Sequence, residues 1–534
     1  METAPPTEIH GPATTTTRGS RTVGRTLARA VPAALLGIIA FTLVLVITDP
    51  PGPGLDPDAL SYLGAAESVA QHGEYRIPMA KWPRPDSTEP LAHFPPVFPT
   101  VLALPVRLGM SPIQGARLVE AVAACITVTT LVLLISAVVS STTGILLAVA
   151  LLAMTSMHEI HVSVLSEPLY LACTVLVLAA MVLAPQRPLR AALPAAVGVM
   201  TRYAGASLVG AVALWTFLQP GTWRARLGRA AIALIPALVL QGAWVLRTRA
   251  VAGTKEIRKF ALYGDLAPTL AEGGRTLTAW LIPDASTGTD ALRHRPALAV
   301  AAGVVLLALV SIGAWYDRRA PRATGARDDH GLSTAWGLLA ATSLLLVCYA
   351  GILGVSRIVA DPGIPLDERI LAPVLLLLMT IAAVGLTLWW RGTRLRVARG
   401  IVAIALVTWW CAAASATYTK AGFALRWGSD FAGEQWRESE LLAWARGAGA
   451  HRPLYSNWPA AVYFHLHRPS HELPLQSDAR TLAAFADTVR AHDGRVLLFN
   501  AFSLGLAPND SVLKVRALRV VERFRDGVVL AGRP

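Results

Sequence analysis

Asp56 and Asp58 flank Pro57 in DPPGPGLDPDALSYLGAAE, just past the first long apolar run, and Glu167 opens a later apolar run in MHEIHVSVLSEPLYLA. A carboxylate at such a boundary can take a proton from a reacting hydroxyl. Tyr62 follows Asp58 by four residues, so a helix starting there would put both on one face. Arg202 lies in the middle of the apolar stretch 191–218, and Arg369 follows Asp367 and Glu368 at the head of another run. Ionisable residues at membrane depth are functional candidates by default, and a guanidinium facing a cavity suits a phosphate. Each also has a plainer use. Asp58 can cap a helix over 59–71, Glu167 suits a helix start, and Arg369 can snorkel or pair with Glu368. His158, Glu159 and His161 are one residue short of HExxH, which turns the two imidazoles to different faces. We read no metal site from these histidines.

The elements that must position these residues are apolar helices. Of the 534 residues, 54% are hydrophobic and 15% charged, against about 25% charged in soluble domains. The apolar residues fall in runs near ~20 long, the length that crosses a bilayer: 31–48, 118–139, 166–185, 230–247, 297–315, 333–353, 369–390 and 400–419. Cys125, Cys173, Cys348 and Cys411 all lie in such runs without a CxxC partner, which reads as core filling. The net charge of +14 comes from arginines clustered between runs, a positive-inside pattern, and excludes a nucleic-acid face.

Arg18, Arg21, Arg25 and Arg29 precede the first span, so residues 1–29 read as a disordered cytoplasmic tail before an uncleaved anchor. Loop 49–117 then lies outside, with an interfacial helix over 97–109. Span 118–139 returns, 144–157 goes out and 166–185 comes back. Residues 191–218 are long for one span and short for two: one span would invert every later loop, whereas two short helices meeting near Arg202 keep Arg224, Arg226 and Arg229 inside, along with Arg318, Arg319, Arg322, Arg327, Arg391 and Arg394. This gives about eleven crossings with the C-terminus outside. Residues 420–534 are polar, with strand-like PLYSN (453–457) and RVLLFN (495–500), a helical pattern over 479–492 and a hairpin at Asp526-Gly527. They read as a small extracytoplasmic α/β domain, and 30–419 as the transmembrane domain. The fold class is thus an α-helical polytopic membrane protein carrying that domain.

In order, the chain shows a basic tail and a span, Asp-x-x-x-Tyr (Asp58, Tyr62), a PP segment (Pro95, Pro96) before an amphipathic helix, SEPLYLA, TRYAG, Arg369 at a late span, and YSN (Tyr455 to Asn457). This layout resembles the GT-C superfamily of membrane glycosyltransferases, which includes the protein O-mannosyltransferases, the aminoarabinose transferase and the Rgt-type transferases. The resemblance implies that Asp58 is the catalytic base and Glu167 the second catalytic acid. It implies that Arg369 holds the donor phosphate, with Asp56, Tyr62 and Arg202 as further substrate contacts and Asp56 as the rival base. The family often has Asp-Glu where this chain has Asp58-Ala59.

The implied reaction moves a sugar from a polyprenyl phosphate to a hydroxyl of a glycan, lipid or protein at the outer face of a bacterial inner membrane, by inverting single displacement. No nucleotide-binding loop accompanies it: neither GxGxxG nor a P-loop is present. A divalent metal held by Asp58, Glu167 and a nearby histidine is left open. The alternative is a transporter or flippase for a lipid-linked sugar, which would more often show two matched halves.

Overall fold

The computed structural model describes residues 17–252, 262, 267–283, 296–319, 335–360, 363–447, 449, 451–501 and 506–533. Residues 1–16, part of the expected tail, and Arg322 and Arg327 lie outside the described residues.

Backbone polar groups in hydrocarbon must be bonded within their own segment, so the apolar runs become helices. In chain order these begin with α1 (Thr17–Ile47), α2 (Pro57–His72), α3 (Val97–Arg107), α4 (Pro112–Val138), α5 (Ser141–Leu152), α6 (Thr155–Val162), α7 (Glu167–Leu183), α8 (Pro188–Thr201) and α9 (Ala206–Leu218). Helices Trp223–Ala252, Ala267–Leu281, Pro296–Arg319, Ala335–Val355, Ala372–Gly392 and Arg396–Trp427 follow. Six of the described helices are long and apolar enough to cross a membrane, or seven if α5 and α6 form one bent span. By length and composition this is fewer than the eleven crossings expected; α3, α7 and the Tyr203–Leu218 segment are apolar but shorter. The core lies among α4, α7, α8, α9 and helices Ala335–Val355 and Ala372–Gly392, where Leu131, Leu171, Ala192, Val212, Leu338 and Leu376 are buried. Helix Arg396–Trp427, by contrast, buries only Ala413 fully, and so presents apolar side chains outward, as a lipid-facing helix does.

Four boundaries differ from the sequence reading. The helix of α1 begins at Thr17, so Arg18 to Arg29 are helical where disorder was expected, although the apolar span itself starts only at Arg29. The expected span 144–157 breaks into α5 and α6, bent by 68°. The second half is polar, and bending lets Ser156 donate to Glu368 Oε2 at 2.8 Å and Glu159 pair with Lys420. His158, Glu159 and His161 therefore sit on a helix rather than in a loop. Finally, helix Arg396–Trp427 passes residue 420 and stops at Gly428, whose φ of 77° few side chains tolerate.

The stretch 191–218 is two helices. Between α8 and the short turn Tyr203–Gly205, Arg202 is extended (φ −145°, ψ 137°). A Cβ on Gly205 would lie 2.4 Å from Gly198 C and Val199 N, so the turn packs directly on the α8 backbone.

The strands are β1 (Arg76–Ile77), β2 (Met79–Lys81), β3 (Glu89–Pro90), β4 (Leu454–Ser456), β5 (Ser470–Glu472), β6 (Arg495–Phe499), β7 (Leu518–Phe524) and β8 (Gly527–Gly532). Six form one sheet in the order β2-β5-β4-β6-β8-β7. The first four run parallel, and β6, β8 and β7 are antiparallel. Helices Pro459–Leu466 and Ala479–Ala491 make the crossovers that parallel neighbours require. The edge strand β2 comes from loop 49–96, which the sequence reading places outside the α/β domain. The same loop is tied down again where Tyr463 OH donates to Glu67 on α2, and where Phe431 N–H donates to Leu55 O at 3.1 Å.

Candidate active site

Asp56 is the N-cap of α2: its Oδ1 accepts the Ala59 N–H at 2.7 Å, and Pro57 occupies the first helical position. The sequence reading gives that cap to Asp58. Pro57 explains the shift, since its fixed φ suits the first turn and starts the helix two residues earlier. Asp58 then lies in the first turn, on the same helix end as Asp56. The two carboxylates converge.

They meet at Arg369, in the turn before helix Ala372–Gly392. Its Nη1 donates to Asp56 Oδ2 at 2.8 Å and its Nη2 to Asp58 Oδ2 at 2.8 Å. Its Nε donates to Glu167 Oε1. Glu368, next to Arg369 in the chain and its plainer alternative partner, instead accepts from Ser156. The Glu167 side chain is 2% exposed and also meets Arg202, whose Nη1 is 2.5 Å from Oε1. Arg202 Nη1 further donates to Ser166 Oγ at 3.0 Å. The structure thus brings together five of the six sequence candidates: Asp56, Asp58, Glu167, Arg202 and Arg369. They arrive from four separate segments.

Tyr62 is the exception. It is buried, with its ring 4.7 Å from Phe94 and 4.9 Å from Phe98. Its hydroxyl reaches Ser166 Oγ at 3.3 Å. One turn along α2 from Asp58, it faces the α2–α3 packing rather than open space, so it supports Ser166 instead of lining the site. The sequence reading missed Ser166, although it directly precedes Glu167. It also missed Ser207, which meets Tyr170 OH at 3.1 Å beneath Arg202. YSN lies away from the cluster: Tyr455 stacks on His471, and Asn457 bonds the Phe499 backbone at 2.8 and 2.9 Å.

Three carboxylates face two guanidiniums, so the fully ionised cluster is one positive charge short. Burial, then repulsion from Asp58, pushes Asp56 up to about 7, against the pull of Arg369. Near neutral pH that carboxyl carries a proton part of the time. Among the described residues no three His, Cys, Asp or Glu side chains are grouped to hold a metal ion. The point where the three acids converge is taken by Arg369. His161 Nδ1 donates to the Met157 carbonyl at 2.7 Å, and Glu159 is paired with Lys420.

No protein-family model matches the chain, and no curated protein sequence matches it. Solved structures do. A mutant of the arabinofuranosyltransferase AftD from Mycobacteria superimposes with a TM-score of 0.51 at 14% identity, over 94% of this chain and 41% of AftD. This chain therefore spans about two fifths of AftD's length. The oligosaccharyltransferase AglB from Archaeoglobus fulgidus, solved with an inhibitory peptide and a dolichol-phosphate, gives 0.50 at 12% identity, over 88% of this chain and 69% of AglB. ArnT from Cupriavidus metallidurans in the apo state gives 0.48 at 15% identity, over 96% and 98%. The chain has the fold of the GT-C membrane glycosyltransferases.

Proposed function

We propose that this protein is a membrane glycosyltransferase that moves a sugar from a polyprenyl-phosphate donor to an acceptor hydroxyl at the outer face of a bacterial inner membrane. The observation that carries the reading is the gathering of Asp56, Asp58 and Glu167 around the single guanidinium of Arg369, with Arg202 behind Glu167. The shared fold adds support: AglB was solved with a dolichol-phosphate, and AftD is named an arabinofuranosyltransferase.

In this mechanism the acceptor oxygen attacks the anomeric carbon while its proton passes to Asp58. The bond from that carbon to the phosphate oxygen breaks, and its electron pair leaves with the polyprenyl phosphate. One displacement inverts the centre. Asp58 is the base because one of its oxygens, Oδ1, is bonded to no side chain among the described residues, whereas both Asp56 oxygens are used. Glu167 holds both arginines in place. A guanidinium has five N–H donors, so Arg369 keeps N–H groups for the leaving phosphate after bonding three acids. Fixed charge aimed where charge develops is the largest catalytic lever a protein has.

The test is transfer by the purified protein from polyprenyl-phosphate-linked hexoses and pentoses to envelope acceptors. Release of polyprenyl phosphate with an inverted product linkage is expected. Transfer that requires a nucleotide sugar, or retains configuration, overturns the reading.

The arginine distribution favours about eleven crossings with the N-terminus cytoplasmic, which puts the sheet of residues 428–533, with β2, outside as a small α/β domain. A reporter active only in the cytoplasm, fused after Pro534, should be silent. Strong activity would mean that 191–218 crosses once and would invert every later loop.

A further inference from the structure

The apolar helix α4 carries one acid, Glu120, in RLVEAVAACITV. It is 2% exposed, and an acid inside a span is a functional candidate by default. Glu120 Oε1 accepts the backbone N–H of Leu165 at 3.1 Å. Its other oxygen has no hydrogen-bond partner among the described residues. Leu165 belongs to the short loop 163–166 between α6 and α7, and Glu167 starts α7. One residue earlier, Val164 N–H donates to Gly54 O at 2.9 Å, and Gly54 N–H donates to Val162 O at 3.0 Å. Gly54 is two residues before Asp56.

The loop is therefore fixed on two sides. The backbone of the Asp56 segment holds Val162 and Val164, and Glu120 holds Leu165. Between them they set the direction in which Glu167 leaves the loop toward Arg369 and Arg202. Without Glu120 the Leu165 N–H would be a buried donor with no acceptor, and the loop would have to move to satisfy it.

We propose that Glu120 is a positioning residue: its carboxyl on α4 sets the placement of Glu167, and through Glu167 that of both arginines. The kinetic part of this inference rests on the proposed function; the structural part does not.

Three variants of the full chain test it. Glu120→Gln keeps an acceptor oxygen for Leu165, Glu120→Asp draws it back by one methylene, and Glu120→Leu removes it. Hydrogen exchange at the Leu165 amide should be as slow in Glu120→Gln as in the parent, faster in Glu120→Asp and fastest in Glu120→Leu. Turnover should fall ~10²-fold in Glu120→Leu, the scale of a 1 Å misplacement, with donor KM within about threefold, and stay near the parent in Glu120→Gln. If Glu120→Leu does not fold, the Asp and Gln pair decides the matter alone. Unchanged exchange in Glu120→Asp, and in Glu120→Leu where it folds, sinks the proposal. So does loss in Glu120→Gln as deep as in Glu120→Leu, because the carboxyl itself would then be needed. If the parent transfers no sugar, the function reading fails while the exchange result still decides the role of Glu120.

Discussion

Asp58→Asn should leave the protein folded and nearly abolish sugar transfer. General-base removal typically costs ~10²–10⁴ in rate, which is the loss expected in turnover from a polyprenyl-phosphate donor. The substitution is mild for the fold because the α2 cap is Asp56, not Asp58. Asp58 contributes its charge to the first turn, worth ~0.3–1 kcal/mol at most sites, and an amide oxygen can still accept from Arg369. Melting temperature and activity should therefore separate. Asp56→Asn behaves differently. Asparagine caps nearly as well as aspartate, so what is lost is the charge. Since Asp56 is pushed up to about 7, its carboxyl is largely neutral below that pH, and there the neutral amide of the variant resembles it. The Asp56→Asn defect should be small at pH 6 and grow as pH rises through 7. Full turnover in Asp58→Asn with loss in Asp56→Asn at pH 6 as well as pH 8 would move the base to Asp56.

Arg369→Ala should be the other severe change, and it should cost stability as well as activity. Removing the guanidinium leaves Asp56 and Asp58 facing each other with no cation bonded to either among the described residues, and Glu167 with Arg202 alone. Breaking a buried pair typically costs 3–5 kcal/mol. The cluster is partly exposed, with Arg369 at 25% and Asp58 at 38%, so a loss of about 2 kcal/mol is the better expectation. The sign with pH follows. In the variant Asp56, already raised in the parent, loses the cation that pulls it down, so it sits still further above its unfolded value, and the deficit is small at low pH and grows as pH rises. The melting temperature of Arg369→Ala should lie nearest the parent near pH 5 and furthest below it near pH 8. Turnover should fall by at least ~10²–10³, as for loss of one transition-state donor. Arg369→Lys should recover part of the stability and little of the rate, because one ammonium cannot reach three acids in a planar fork. Equal melting curves at both pH values, with turnover kept, would remove Arg369 from the mechanism.

The long apolar runs made most helices legible, because hydrocarbon leaves the backbone few other options. Helix Ala372–Gly392 lies within three residues of the run read from sequence, and strands β4 and β6 fall inside PLYSN and RVLLFN. Glu167, Arg202 and Arg369 stood out because an acid or arginine in an apolar setting is a functional candidate, and Asp56 and Asp58 because of the Asp-x-x-x-Tyr pattern beside Pro57. What could not be read was which partner. Arg369 pairs with acids far away in the chain rather than with Glu368 next door, and sequence distance carries no trace of that. Tyr62 reaches the cluster only through Ser166, since helical spacing gives a common face but not what that face packs against. Glu120 was passed over because a single acid in a long apolar run barely changes its composition. The bend between α5 and α6 was hidden because each half alone reads as apolar or as loop.

The pairing of β2 with β5 has a consequence for how the protein is made. Met79 and Ser470 are neighbours in the sheet but are separated by most of the chain. During synthesis the segment holding Met79 emerges long before its partner exists, and must wait as an unpaired edge while the later helices are inserted. Closing so long a loop is slow, and an exposed strand edge invites wrong pairing in the interval. Ribosome stalling or truncation ahead of Ser470 should leave that segment open to proteases and holding factors. Phe431, whose N–H holds Leu55 O, and β5, which pairs with β2, are both made long after loop 49–96, so the Asp56 segment is tied down late. The site would then take its shape only after most of the membrane helices have been made.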